Sequence, residues 1–249
     1  MRKMTDTTSP PRPIAEFEGS RLRAGLELTL AMGLAFTSKA ALSVVTWQFA
    51  GPISLLTLLA LITVYLHRRG ESWAQLGLVS PGGWKSYGLV LPQTLLAIVA
   101  ILASGILMAR AGIALGWWGP EIPDTVGERW GDVEGNLPVF LMWLAIVWTA
   151  AAFGEEMFFR AFLITRAERL FKGLPFGLGL VLAILIPALF FGYGHFYYQG
   201  LRGLFTTGMI GVSLGILYLL YKRNLWPLVI AHGMVNTLAF TANYLGADW

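Results

Sequence analysis

The sequence predicts an all-α fold, a polytopic transmembrane helix bundle of about seven spans enclosing a polar cavity, and three observations carry that reading. Of its 249 residues 56% are hydrophobic and 13% charged, about half the charged share of an ordinary soluble domain. The mean hydropathy is +0.63, and the apolar residues gather into runs that approach the roughly 20 residues a helix needs to cross a bilayer. The basic residues fall mainly in the short breaks between those runs, as the bias of Lys and Arg toward cytoplasmic loops requires.

Spans are expected over 24–47, 52–66, 86–110, 137–165, 178–195, 203–221 and 226–244. The second is short enough to sit nearly upright or to be partly re-entrant, and the fourth is long enough to project beyond the bilayer. The polar, Pro-containing stretch 1–23 precedes a run too long for a signal peptide, without a small-residue cleavage site, and is expected to be a cytoplasmic tail. Residues 24–249 then form a single transmembrane domain. With the N-terminus inside, the cytoplasmic segments hold Arg2, Lys3, Arg12, Arg21, Arg23, Arg68, Arg69, Lys85, Arg166, Arg169, Lys172, Lys222 and Arg223, whereas the outer ones hold only Arg110, Arg129 and Arg202. That asymmetry predicts an integral protein of a bacterial or archaeal cell membrane with a cytoplasmic N-terminus and an outer C-terminus.

Composition also removes whole classes of function. A formal net charge of +4 could suggest nucleic acid, but its placement beside membrane spans points to lipid headgroups as the partner instead. There are no cysteines, so disulfides, thiolate metal sites and Cys nucleophiles are excluded. The segment 71–84, with Gly77 and Pro81-Gly82-Gly83, is expected to be a connector of turns. The loop between the third and fourth spans carries Trp117, Trp118, Glu121, Asp124, Glu128, Trp130, Asp132 and Glu134. It is expected to lie at the interface with its indoles at headgroup level, a lid over a substrate groove being the alternative.

Residues 150–162 concentrate the chemistry. They read Ala-Ala-Ala-Phe-Gly-Glu-Glu-Met-Phe-Phe-Arg-Ala-Phe, two carboxylates and a guanidinium in an otherwise apolar span, where each charge costs at least about 2.5 kcal/mol and marks a functional site by default. Glu156 and Arg160, four apart, share a helical face and suit an ion pair. Glu155 points elsewhere and remains the freer carboxylate, able to act as a base toward water. His195 closes the run Phe-Phe-Gly-Tyr-Gly-His and shares a face with Phe191. His232 and Asn236 stand one turn apart in the last span, pointing the same way. His67, beside Arg68 and Arg69, is expected to be interfacial, Glu27 to pair with Arg23, and Lys39 to snorkel or touch another helix.

These types suffice for amide hydrolysis without a covalent nucleophile: Glu155 deprotonates a water, His195 orients it, and His232 and Asn236 donate to an oxyanion. Gly-x-Ser-Gly and His-Glu-x-x-His are both absent, and no Asp lies in the spans, which argues against serine, zincin-type and aspartyl intramembrane proteases. The favoured chemistry requires no cofactor. Zinc stays open, because Glu155, His195 and His232 are competent ligands, with Asn236 a poor fourth.

The ordered set Glu155-Glu156-x-x-x-Arg160, Phe191-x-x-x-His195 and His232-x-x-x-Asn236 resembles the CPBP (Abi) family of membrane proteases, which includes type II CAAX prenyl endopeptidases and bacteriocin-processing or immunity proteins. The resemblance covers about residues 135–245. It implies a glutamate-dependent intramembrane endopeptidase in which Glu155 is the base, His195 its partner in holding the water, His232 with Asn236 the oxyanion site, and Glu156 with Arg160 supporting residues. It also implies a peptide or protein substrate, prenylated or a secreted-peptide precursor. The rival readings are a non-enzymatic scaffold or immunity protein, and an ion-coupled transporter using the same polar cluster, though no repeated halves are visible. For the motifs to meet, the fifth span must start late enough, or kink enough at Pro187, to bring His195 inward; the expected cavity then opens toward the cytoplasm.

Overall fold

A computed structural model describes residues 21–79 and 83–247. Most of the expected tail therefore lies outside the described residues. The chain is helical throughout. α1 (Arg21–Thr46) and α2 (Ala50–Arg68) form an antiparallel pair, and a connector with one 3-10 turn leads to α3 (Trp84–Ala114). A short α4 (Asp124–Trp130) lies in the following loop, and α5 (Leu137–Leu170) comes next. α6 (Leu178–Leu220) and α7 (Trp226–Tyr244) complete the bundle. Among the described residues five helical stretches are long and apolar enough to cross a membrane. The fifth of them is broken into two limbs, and α7, of 19 residues, completes the bundle without being among the five.

The two limbs of α6 meet at Gly200, whose φ of 58° and ψ of −151° break the helix. A residue with a Cβ is strained there, whereas glycine is not. On either side of the break the limbs pack face to face through small residues. A Cβ on Gly192 would fall 2.2 Å from Leu204 O and 3.0 Å from Gly208 Cα, and one on Gly211 would meet Ala188 Cα at 3.1 Å. Small residues let membrane helices approach this closely, so dispersion contacts replace the hydrophobic drive that lipid removes.

α5 is the axis of the bundle, packed against α2, α6 and α7. Its central segment, Val147–Ile164, takes the wider π-helical pattern rather than the regular α-helix the sequence predicts, a form found mostly at functional sites. Leucines and valines such as Leu30, Val44, Leu95, Val99, Leu189 and Leu238 face outward, as an apolar solvent permits. At the end away from α4, Arg166 is fully buried and donates to Glu27 Oε2 at 2.6 Å and Glu71 Oε2 at 2.9 Å. Tyr65 donates to the other oxygen of Glu27 at 2.5 Å. Glu27 therefore ties α1 to α5 across 139 residues, a partner that local spacing could not reveal.

Candidate active site

Three elements bring the motifs together. α5 contributes Glu155, which is half-exposed to a cavity, and Glu156, which is fully buried. Arg160 Nη1 donates to Glu156 Oε1 at 3.0 Å, the pair that their spacing predicts. From α7, His232 places Nδ1 2.9 Å from the same Glu156 oxygen and Nε2 3.8 Å from Glu155 Oε2. The first limb of α6 supplies His195, whose Nδ1 lies 3.0 Å from Phe191 O. Phe191 stands between the imidazoles, its ring centroid 5.1 Å from that of His195 and 6.4 Å from that of His232.

The hydrogen bonds fix the imidazole tautomers. A backbone carbonyl only accepts, so His195 carries its proton on Nδ1. The Glu156 carboxylate, already accepting from Arg160, likewise takes the Nδ1–H of His232. In either ring, when it is neutral, Nε2 is left as an acceptor. Asn236, one turn beyond His232, lines the same cavity and offers a carboxamide N–H that donates in any protonation state.

The cavity encloses about 870 Å³ and contains Glu155, His195, His232 and Asn236 in its wall. The rest of the wall is mostly apolar and aromatic, including Phe158, Phe159, Phe191, Trp143 and Phe240. Glycine makes one contact near the site: a Cβ on Gly233 would lie 2.6 Å from the Trp148 ring, which packs beside His232 and donates to Thr237 Oγ1 at 3.1 Å. Among the described residues no three His, Cys, Asp or Glu side chains converge to hold a metal ion.

α6 begins at Leu178, and His195 lies five residues before the Gly200 turn. The cavity is built in the half of the bundle that carries α4, from the C-terminal part of α1 (Ala35 to Ser43), the start of α2 (Gly51 to Leu55) and the later part of α7. In the Trp-rich loop Trp117 is exposed, whereas Trp130 is packed edge-on against Trp143, Tyr198 and Phe240 and with Arg129 forms part of the cavity wall.

Sequence reading missed Arg129 and Tyr198 as cavity residues. The one signal for Arg129 was a basic residue beside a tryptophan in an otherwise acidic loop. Lys39 was expected to snorkel or touch a neighbouring helix; it does the second, donating from Nζ to Gly194 O at 2.7 Å with the Tyr197 ring centroid 3.5 Å away.

No curated protein and no solved structure matches the chain. A family description does: residues 137–238, which run from the start of α5 through His195, His232 and Asn236, match the type II CAAX prenyl endopeptidase Rce1-like family. The stretch that builds the site is thus similar to the type II CAAX prenyl endopeptidases of the Rce1-like family, a likeness that covers residues 137–238 of the 249.

Proposed function

We propose that the protein is an intramembrane endopeptidase that cleaves its substrate with a water activated by Glu155, without a covalent intermediate. The observation that carries the reading is the division of labour between adjacent carboxylates: Glu156 is tied to Arg160 and His232, while Glu155 faces the cavity. Water accepted between Glu155 and His195 gives a proton to the Glu155 carboxylate and a hydrogen bond to His195 Nε2. The resulting hydroxide adds to the scissile carbonyl carbon. The oxyanion receives hydrogen bonds from the Asn236 carboxamide and, when the ring enters the reaction as the imidazolium, from His232 Nε2–H. The tetrahedral species collapses by breaking the C–N bond, and Glu155 returns its proton to the leaving amine.

The apolar cavity wall suits a lipidated or hydrophobic peptide. A prenylated C-terminus, a bacteriocin leader and a peptide pheromone precursor all share that chemistry. Purified protein is incubated with a panel of these three peptide types, with and without chelator. Cleavage of at least one, unchanged by chelation, is expected; loss of cleavage on chelation, with recovery on adding zinc, overturns the metal-free chemistry.

A further inference from the structure

We propose that Arg129, backed by Lys39, binds the free C-terminal carboxylate of the peptide substrate and thereby fixes how far from its end the chain is cut. This rests on the hydrolytic reading above and names the substrate feature which that site selects. Arg129 is only 7% exposed and lines the catalytic cavity. Its Nε and Nη1 are buried with no hydrogen-bond partner, whereas buried donors in proteins are almost always paired. Aromatic faces hold the guanidinium in place: Cζ lies 4.7 Å from the ring centroid of Tyr198, 5.0 Å from Trp130 and 5.3 Å from Tyr197. Such contacts orient a cation while leaving its N–H edge free to donate.

The surrounding charges do not answer it. Glu121, Asp124, Glu128, Asp132 and Glu134, the acids of the same loop, are all exposed. Deeper in the cavity Glu156 is engaged by Arg160, which leaves Glu155 as the single carboxylate facing two cations, Lys39 and Arg129, on the same wall. The Arg129 guanidinium keeps unpartnered donors, which a bound anion would satisfy. The guanidinium fork matches the two oxygens of a carboxylate. A peptide terminus is the fitting source because Arg129 and Trp130 line the same cavity as Glu155, so that a chain held at the base can bring its end to the guanidinium. Lys39, held against Gly194 and Tyr197, adds positive potential without being the direct fork.

The test uses the full-length protein in detergent and two S-farnesylated peptides ending in Cys-Val-Ile-Met, one as the free acid and one as the carboxamide. Binding is measured by fluorescence anisotropy on the Glu155→Gln protein, so its outcome is separate from whether cleavage occurs; cleavage by the parent enzyme is followed in parallel. The acid is expected to bind at least tenfold more tightly than the amide. Arg129→Gln brings that ratio close to one, and Arg129→Lys restores part of it. In cleavage the discrimination appears mainly in KM. Equal binding of acid and amide, or no binding of either, overturns the proposal. So does an Arg129-dependent uptake of phosphatidylglycerol from mixed vesicles, or of inorganic phosphate, without acid preference, because the site would then hold a phosphate. Were Arg129 only a counter-charge for Glu155, its loss would shift the pH profile of both peptides alike and leave the ratio intact, which also overturns it.

Discussion

Nδ1 of His232 sits 2.9 Å from Oε1 of Glu156, and that contact gives the second glutamate of the pair a task distinct from the first. It holds the imidazole in one tautomer and aims Nε2 at the cavity, as a carboxylate behind a functional histidine does. The same oxygen carries Arg160. Glu156→Gln therefore loosens two partners, and Glu156→Ala strands a buried guanidinium. Breaking a buried pair from one side costs about 3–5 kcal/mol. Thermal unfolding in detergent should show a clear loss of stability for Glu156→Ala and Arg160→Ala, with activity falling in step; unchanged melting would mean that the pair does not hold α5 and α7 together.

Glu155→Gln should behave in the opposite way. Its carboxylate faces the cavity and its one ion-pair contact, to His232 Nε2, is long at 3.8 Å, so an isosteric amide removes the base while breaking no short hydrogen bond. Cleavage is expected to fall by about 10²–10⁴-fold, the usual worth of a general base, with melting temperature close to that of the parent. Persistent turnover would transfer the role of base to another residue.

The parts of this architecture visible in the sequence are those governed by local spacing. Seven apolar runs mark the spans, and the four-residue interval from Glu156 to Arg160 marks an ion pair that the structure contains. His232 and Asn236 likewise share a cavity, as one helical turn predicts. What escaped depends on distant segments. Arg166 meets Glu27 and Glu71, from two other segments far away in the chain, and Arg129 reaches the site only because α4 folds back over the bundle. The π-helical stretch of α5 was also invisible, since its residues have the apolar and small composition of any membrane helix.

The connector carboxylate Glu71 supplies a pH test outside the spans. Burial alone would raise its pKa, but the charges of Arg166 and Arg169 and a hydrogen bond from Arg166 outweigh it and hold the carboxyl below its ordinary 4.5. A carboxyl depressed by folding stabilises the folded state fully above its unfolded pKa, and that contribution is lost as pH falls through the folded one. Stability of the parent protein in detergent should therefore decline below about pH 4.5. Glu71→Gln should lower stability at pH 7 and flatten this part of the acid decline. An equally steep profile in the variant would assign the acid sensitivity to other groups.

The direction in which the cavity faces follows from two observations that can be tested together. Arg166, Arg169, Lys172, Lys222 and Arg223 cluster at one end of the bundle, which the charge bias makes cytoplasmic, while the cavity and α4 occupy the other. The chain has no cysteine, so a single one reports without background. Glu128 on α4 and Lys172 in the turn after α5 are both exposed. On intact cells a membrane-impermeant maleimide should label Glu128→Cys directly and Lys172→Cys only after lysis. That result places the catalytic cavity toward the outer face and points to a substrate presented or exported there. The reverse labelling would turn the bundle over, open the cavity to the cytoplasm, and make cytoplasmic prenylated C-termini the fitting substrates.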